Sequence, residues 1–170
     1  MKKLFFALSF SMIALIGQSN TAQAASNFNI GALGGIGILS NSGGSPFTYG
    51  LETDYKFDPS WSVGLLFNAL TPNSVSVAGT SYTVGLSNLD LAIKYIMDQW
   101  SFGVLLGFET FSTNVPGASG GSYMNYGLVA GYDFQLGSNF SLGPQIDLLW
   151  NGQSGGYQET DILAAIKYWF

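Results

Sequence analysis

The feature that most constrains this chain is a strict two-residue alternation of bulky apolar side chains with small or charged ones. It is clearest from Thr48 to Asp58, where Tyr49, Leu51, Tyr55 and Phe57 share one parity with Thr53. The other parity holds Thr48, Gly50, Glu52, Asp54, Lys56 and Asp58. Because successive side chains of a β-strand point to opposite faces, this segment predicts a strand between two different environments.

The same alternation recurs along the chain and predicts eight strands. The first, about Asn27 to Leu39, is the least clear because glycines blur its faces. Short connections near 58–60, 97–99 and 137–139 alternate with long ones near 40–47, 71–81, 112–122 and 151–158. An even strand number with this alternation of connections predicts an all-β fold, an eight-stranded antiparallel up-and-down transmembrane β-barrel. A phase slip between Leu86 and Leu89 predicts a bulge or an extended loop there.

The N-terminal segment predicts export. Lys2 and Lys3 precede an apolar run from Leu4 to Ile16, and a small-x-small cleavage pattern ends at Ala24. The run is shorter than the ~20 residues that a membrane-spanning helix needs. We therefore expect residues 1–24 to be a signal peptide and residues 25–170 to be the β-barrel domain. An uncleaved anchor helix is the alternative.

The composition predicts which face of the barrel is outside. Charged residues make up 9% of the chain, and aromatic residues 15%, whereas about 25% charged is usual for a soluble domain. An eight-stranded barrel has an interior only just wide enough for side chains, so the bulky face fits better outside. Aromatic residues collect near both strand ends, as a membrane with two interfaces selects. Leu66, Leu105, Phe111, Leu163 and Trp169 are exceptions that would point inward, and Pro144 lies within a strand.

The ionisable residues share the small-residue face, which predicts a polar lumen network with a structural role. Its members are Glu52, Asp54, Lys56, Asp90, Lys94, Glu109, Asp133, Asp147, Glu159, Asp161 and Lys167. The strand directions place the lysines and Asp133 in the periplasmic half and the other acids nearer the middle or outer half. Crowded carboxylates there would retain protons near neutral pH or share a cation such as Ca²⁺. The alternative is that water at the mouth solvates each acid separately.

Several classes of function are excluded by residues that the chain lacks. There is no His, so no catalytic dyad or triad of the usual kind can form, and we expect no enzyme and no catalytic residues. There is no Cys for a thiolate metal site and no dinucleotide fingerprint, so we assign no metal ligands and expect no cofactor. The part after residue 24 keeps 3 Lys against 10 acids, a formal charge of 3 − 10 = −7, so a nucleic-acid partner is not expected.

The end of the chain resembles the terminal strand of outer-membrane proteins. Ala165 to Phe170 alternates and finishes on a C-terminal Phe, with Tyr168 two residues earlier. With the signal peptide and the order of turns and loops, the whole domain resembles the OmpX/OmpA-like family of small eight-stranded barrels. The resemblance implies a packed polar lumen without an open pore. It also implies that Tyr168 and Phe170 form the signal recognised by the barrel-assembly machinery.

These features favour a bacterial outer-membrane barrel with a structural or surface-interaction role. Its partners would be outer-membrane lipid, the assembly machinery and an extracellular partner bound by the Gly/Ser-rich loops. One alternative is a narrow channel for small or apolar solutes, like OmpW-type barrels. A less favoured alternative is a secreted soluble calyx that binds a ligand in an apolar interior.

Overall fold

The computed structural model describes residues 27–40, 45–77, 80–114, 120–152 and 158–170, which form antiparallel strands throughout. No helix in these ranges is long and apolar enough to cross a membrane. The predicted signal peptide, residues 1–24, lies outside the described residues. The strands are β1 (Phe28–Leu39), β2 (Phe47–Asp58), β3 (Trp61–Val77), β4 (Thr80–Met97), β5 (Trp100–Thr113), β6 (Gly121–Tyr132), β7 (Phe134–Gln135), β8 (Phe140–Asn151) and β9 (Gln158–Trp169).

The strands close into a barrel because the first and last strands pair with each other. β1 pairs with β2 on one side and with β9 on the other, and every pairing around the ring is antiparallel. β6 and β7 both pair with β8 in the same register, so together they count as one interrupted strand of the barrel. Counted in this way the barrel has eight strands, which confirms the predicted fold. We call its two ends the turn end, near Asp58, Asp98 and Gly137, and the loop end.

The break between β6 and β7 has a local cause on the facing strand. Pairing with β8 stops after Gly131, opposite Gln145, and resumes at Phe134, opposite Leu142. Pro144 lies in the gap, and proline has no N–H to donate to the ladder. The backbone N–H of Asp133 instead bonds the carbonyl of Gln99, at 2.8 Å. The proline that the sequence marked as anomalous thus interrupts one hydrogen-bond ladder, while β8 stays paired with β9.

The orientation of the two faces is as predicted. Tyr55, Leu91 and Ile166 are 51%, 43% and 48% exposed on the outside of the barrel. Asp54 and Asp161, by contrast, are buried in the interior. Four of the five predicted inward exceptions are buried as well, namely Leu66, Leu105, Leu163 and Trp169. Phe111, the fifth, is intermediate in exposure. An apolar outer surface of this extent requires an apolar solvent around it.

One predicted loop is wrong. The segment 71–81 was expected to be irregular, but β3 continues to Val77 and β4 begins at Thr80, so the two strands form a long hairpin. The irregularity expected between Leu86 and Leu89 lies instead on the partner strand. The register between β3 and β4 shifts between Leu70 and Asn73, whereas Leu86 is simply a leucine that faces inward.

Aromatic rings form a belt around the turn end. Phe28 contacts Phe170, and Phe170 contacts Tyr168, with ring centroids 5.7 and 4.9 Å apart. Further ring pairs on the same end join Trp61 to Tyr95, Trp100 to Tyr132, Tyr132 to Phe134 and Phe140 to Tyr168. Amphipathic rings at one level are what a membrane–water interface selects.

Candidate functional site

The turn-end half of the lumen contains a buried ion cluster centred on Glu52. Lys94 Nζ lies 2.9 Å from Glu52 Oε2 and 3.1 Å from Asp54 Oδ2. Lys167 Nζ lies 3.2 Å from Glu52 Oε1 and 3.2 Å from Asp133 Oδ1. β4 and β9 do not pair with β2 in the sheet, but their lysines bind Glu52 of β2 across the lumen. We call Glu52, Asp54, Lys94, Asp133 and Lys167 the turn-end ion cluster.

A glycine on the intervening strand gives this cluster its room. Gly31 on β1 pairs with Glu52 on β2 and with Lys167 on β9. A Cβ at position 31 would stand 2.8 Å from Glu52 Cγ and 3.1 Å from Lys167 Cγ. Real Cβ contacts do not occur at the shorter distance without movement of the neighbour. The glycine therefore allows two charged side chains from neighbouring strands to meet over it.

Lys56 takes a different position at the turn-end mouth. It is half-buried, and its Nζ lies 4.1 Å from the ring centroid of Trp169, in a cation–π contact. It borders a cavity of about 180 Å³ that every member of the ion cluster except Glu52 also lines, together with Ser62, Gln99 and Gln135. Asp98 and Gln99, in the turn between β4 and β5, are the part of its lining that lies at the turn end.

An apolar layer lies across the middle of the lumen. It contains side chains from seven of the eight strands of the barrel. Its buried members are Leu33, Leu66, Ala92, Leu105, Val129, Leu149, Leu163 and Ala165. The strand registers place most of these residues between the lysine-containing half and the acid-rich half. Close-packed leucines exclude water and ions. Apolar packing therefore fills much of the lumen between the two polar halves.

The loop-end half contains five buried or nearly buried acids, which we call the loop-end acids: Asp90, Glu109, Asp147, Glu159 and Asp161. Neutral donors reach four of them, several across the lumen. The pairs are Asn68 Nδ2 to Asp147 Oδ2 at 3.1 Å, Asn88 Nδ2 to Glu159 Oε2 at 3.1 Å, Asn151 Nδ2 to Glu109 Oε1 at 2.7 Å and Thr48 Oγ1 to Asp161 Oδ1 at 3.0 Å. Asp147 and Asp161 also face each other across the β8–β9 ladder.

In the structure, the predicted lumen residues fall into a turn-end group and a loop-end group whose membership differs from the one predicted from the sequence. Glu52 and Asp54 were placed with the outer acids but pair with lysines at the turn end. The alternative in which water at the mouth solvates each acid separately does not fit the burial, because Asp90, Asp147 and Asp161 are 0% exposed. Sequence reasoning missed the amide partners. Their signal was available, since Asn88 shares the parity of Asp90 and Lys94 on β4, and Asn68 lies on the small-residue face of β3.

The outer wall has an apolar crevice beside the interrupted ladder. It has a volume of about 220 Å³ and is lined by Phe134, Leu136, Leu142, Pro144 and Leu163 with Gly143 and Ala164. Leu163 belongs to the apolar layer of the lumen. The crevice thus approaches the lumen core at the position where the β6–β8 ladder is broken.

The C-terminal residue is held at the turn end by backbone and ring contacts. Phe170 N donates to the carbonyl of Phe28 at 3.0 Å, and its side chain is 60% exposed on the outer surface. Tyr168 is on the same face, two residues earlier. The residues predicted to be the assembly signal therefore form part of the aromatic belt on the closing strand.

Several solved outer-membrane proteins share this fold. Neisserial surface protein A (NspA) matches with a TM-score of 0.66 at 15% identity, over 85% of this chain and 98% of that one. Ail of Yersinia pestis, solved with a heparin analogue, matches at 0.57 and 16% identity over 86% and 100%. OprG of Pseudomonas aeruginosa matches at 0.58 and 14% identity over 88% and 98%. No protein-family model and no curated protein sequence matches this chain.

Proposed function

We propose that this chain, which has the fold of small eight-stranded outer-membrane β-barrels, is an integral outer-membrane protein with a structural or surface-interaction role and a closed lumen. The proposal places the apolar outer face against lipid acyl chains and the ion cluster inside. It does not assign catalysis. A soluble calyx fits poorly, because its apolar face would have to line the interior, whereas the exposed face here is the apolar one.

The apolar layer across the lumen is the observation that carries the closed state. Leu66 and Leu105 are 1% and 2% exposed, and they lie between the two polar halves. An ion that crossed this layer would lose its hydration without gaining a polar partner. The ion pairs of Lys94 and Lys167 fix side chains below the layer as well. The apolar and ion-paired side chains inside the lumen therefore stabilise the barrel wall.

The long β3–β4 hairpin supports a role at the cell surface. β3 and β4 span 17 and 18 residues, whereas β1, β2, β8 and β9 span 12 each. At about 3.3 Å per residue, five extra residues carry the hairpin well beyond its neighbours at the loop end. A partner outside the cell would meet this hairpin and the Gly/Ser-rich loops first. The assembly machinery is the proposed partner of Tyr168 and Phe170 on the closing strand.

Two measurements on one preparation test the proposal. The barrel refolded in detergent should migrate differently on a gel before and after boiling, and it should give no steady conductance in a planar lipid bilayer. Cells that display the chain should bind a host-cell surface more than cells displaying a variant in which residues 72–84 are replaced by a short Asn-Gly turn. A steady conductance, or equal binding by both kinds of cell, would contradict the closed barrel or the surface role respectively.

The wall crevice favours one second candidate, a narrow conduit for small apolar solutes. Such a solute would enter beside Pro144, where the ladder is already interrupted, and not along the blocked lumen. The candidate predicts uptake of apolar solutes into vesicles in the absence of ion conductance. Filling the crevice with Ala164→Phe should then abolish uptake, whereas Ala130→Phe, on the intact wall of β6, should not.

A further inference from the structure

None of the loop-end acids forms an ion pair with a lysine among the residues that the structure describes. All three lysines after residue 24 belong to the turn end, where Lys94 and Lys167 are already bound to carboxylates. Five acids in a buried lumen therefore face only neutral donors: amides and one threonine hydroxyl. A neutral donor satisfies one lone pair of a carboxylate but does not neutralise its charge.

Asp90 is the loop-end acid whose carboxylate is least satisfied by the described residues. It is 0% exposed, and neither of its carboxylate oxygens accepts a hydrogen bond of good geometry from the described part of the chain. It points into the lumen over Gly107 on β5, where a Cβ would collide with Asp90 Oδ1. Asn125 faces Gly107 from the other side. The site is therefore shaped so that Asp90 reaches toward Asn125 with both oxygens available.

Among the residues that the structure describes, the other unpartnered buried side-chain atoms of this half are oxygens too. They are Asn68 Oδ1, Asn125 Oδ1, Glu159 Oε1 and Asp161 Oδ2, all buried. The amide groups of Asn68 and Asn125 already donate, to Asp147 and to Asn88 Oδ1, so their carbonyl oxygens are turned away from those bonds. A cluster that offers only oxygen acceptors suits a positively charged ligand that carries no acceptor of its own.

We propose that the loop-end half of the lumen binds one hard cation of the Ca²⁺ type, with Asp90 and Asp161 as its charged ligands. No three acids of the described part of the chain converge as a ready metal site. The ion would therefore take amide oxygens of Asn68 and Asn125 as well, and water would complete its shell. Ca²⁺ accepts such mixed sets of carboxylate, amide and water oxygens in irregular geometry.

The position of the site agrees with how an ion would reach it. Glu109 and Asn151, which are bonded to each other, lie toward the loop ends of β5 and β8, and apolar residues fill much of the lumen below. The ion would enter from outside the cell and go no further. This inference is separate from the surface role, because it concerns stability of the folded barrel and not what the hairpin contacts.

Calorimetric titration of the refolded full-length barrel with CaCl₂, after treatment with EDTA, tests the site. We expect about one Ca²⁺ per barrel, with a dissociation constant in the range of about 10⁻⁴–10⁻³ M that is typical of extracellular sites. Asp90→Asn and Asp161→Asn should each weaken binding by at least about tenfold. Asp98→Asn removes the same charge from an exposed turn residue and should leave binding unchanged.

The gel shift on boiling identifies correctly folded variants before titration, and the wild-type titration alone already tests the site. Absence of Ca²⁺ binding by the wild type would overturn the proposal. So would unchanged binding in both lumen variants. Stabilisation of the wild type by acid pH with no effect of Ca²⁺, Mg²⁺ or Na⁺ would overturn it as well, because protons would then neutralise the acids.

Discussion

At the scale of single residues, Glu52 is the side chain on which the turn-end ion cluster depends. It is 1% exposed and binds Lys94 through one oxygen and Lys167 through the other. Glu52→Gln should lower the free energy of unfolding by about 3 kcal/mol, because breaking a buried pair leaves charge uncompensated. Asp54 and Asp133 retain some compensation, so the loss should not exceed this. Denaturant unfolding in lipid vesicles measures it.

The control for this prediction is Asp58→Asn. Asp58 is exposed at the turn end and accepts a hydrogen bond from Ser60 N, which asparagine can also accept. Its effect should stay within about 0.5 kcal/mol, as for most surface substitutions. Equal effects of the two substitutions would mean that the ion cluster contributes no more than a surface charge does.

Gly31 gives a second prediction at this scale, one about space and not charge. Gly31→Ala should destabilise the barrel by about 1–3 kcal/mol, since its Cβ would overlap Glu52 and Lys167. Gly34→Ala on the same strand is the matched control, because the nearest atom to its Cβ is Phe47 Cζ at 3.6 Å. The control should be neutral or slightly stabilising, as alanine favours a strand more than glycine does. Unfolding midpoints of the two variants make the comparison.

At the scale of strands, alternation was sufficient to predict the wall but not its contents. Period-two spacing determines which face a side chain takes, so the outward position of Leu91 and the inward position of Leu66 were both predictable. It does not determine which residue lies across the lumen. The bond from Asn68 on β3 to Asp147 on β8 depends on closure of the ring and on the stagger of the strands. That information is spread over all the pairings and is absent from any one segment.

The long hairpin was missed for a related reason. Segment 71–81 is rich in Thr, Ser, Asn and Gly with one Pro, a composition typical of loops. Beyond the membrane both faces of a hairpin meet water, so the alternation of apolar with polar residues that identified the other strands is not required there. Backbone pairing between β3 and β4 continues nevertheless, from Asn73 opposite Val84 to Val77 opposite Thr80.

The closing strand carries the prediction that belongs to this scale. Deleting Phe170 should strongly reduce the amount of barrel in the outer membrane of cells, because the assembly machinery is proposed to read this terminal residue. Refolding of the purified variant in detergent should still occur, since the β1–β9 pairing runs from Asn29 to Leu39 without Phe170. Membrane fractionation and the gel shift on boiling measure the two outcomes.

Phe57→Ala is the matched control for this deletion. Phe57 is an aromatic residue of the turn end that is 58% exposed, close to the 60% of Phe170. It should assemble normally in cells. If it fails to the same extent as the deletion, an aromatic ring at the interface is what matters, and the terminal residue has no special role in recognition.

At the scale of the whole molecule, the barrel is organised by two solvents and not by one core. Apolar side chains cover the outside, ion pairs and amides fill the two ends of the inside, and apolar residues pack between them. A membrane around the outer face predicts that the cost of an added charge depends on its depth. Leu91 lies in the middle of the outer wall, opposite Leu65 and Leu106 on the neighbouring strands. Met97 is on the same face of the same strand, next to the turn.

Leu91→Arg should therefore lower the free energy of unfolding in phospholipid vesicles by about 2–4 kcal/mol, and Met97→Arg by only about 0–1 kcal/mol. The two residues are similarly exposed, at 43% and 52%, so a protein surrounded by water would tolerate both equally. A difference between them requires an apolar slab whose centre is near Leu91 and whose edge is near Met97. Equal tolerance would contradict the membrane-spanning orientation, and with it the reason that the carboxylates and lysines of this chain are gathered in the lumen.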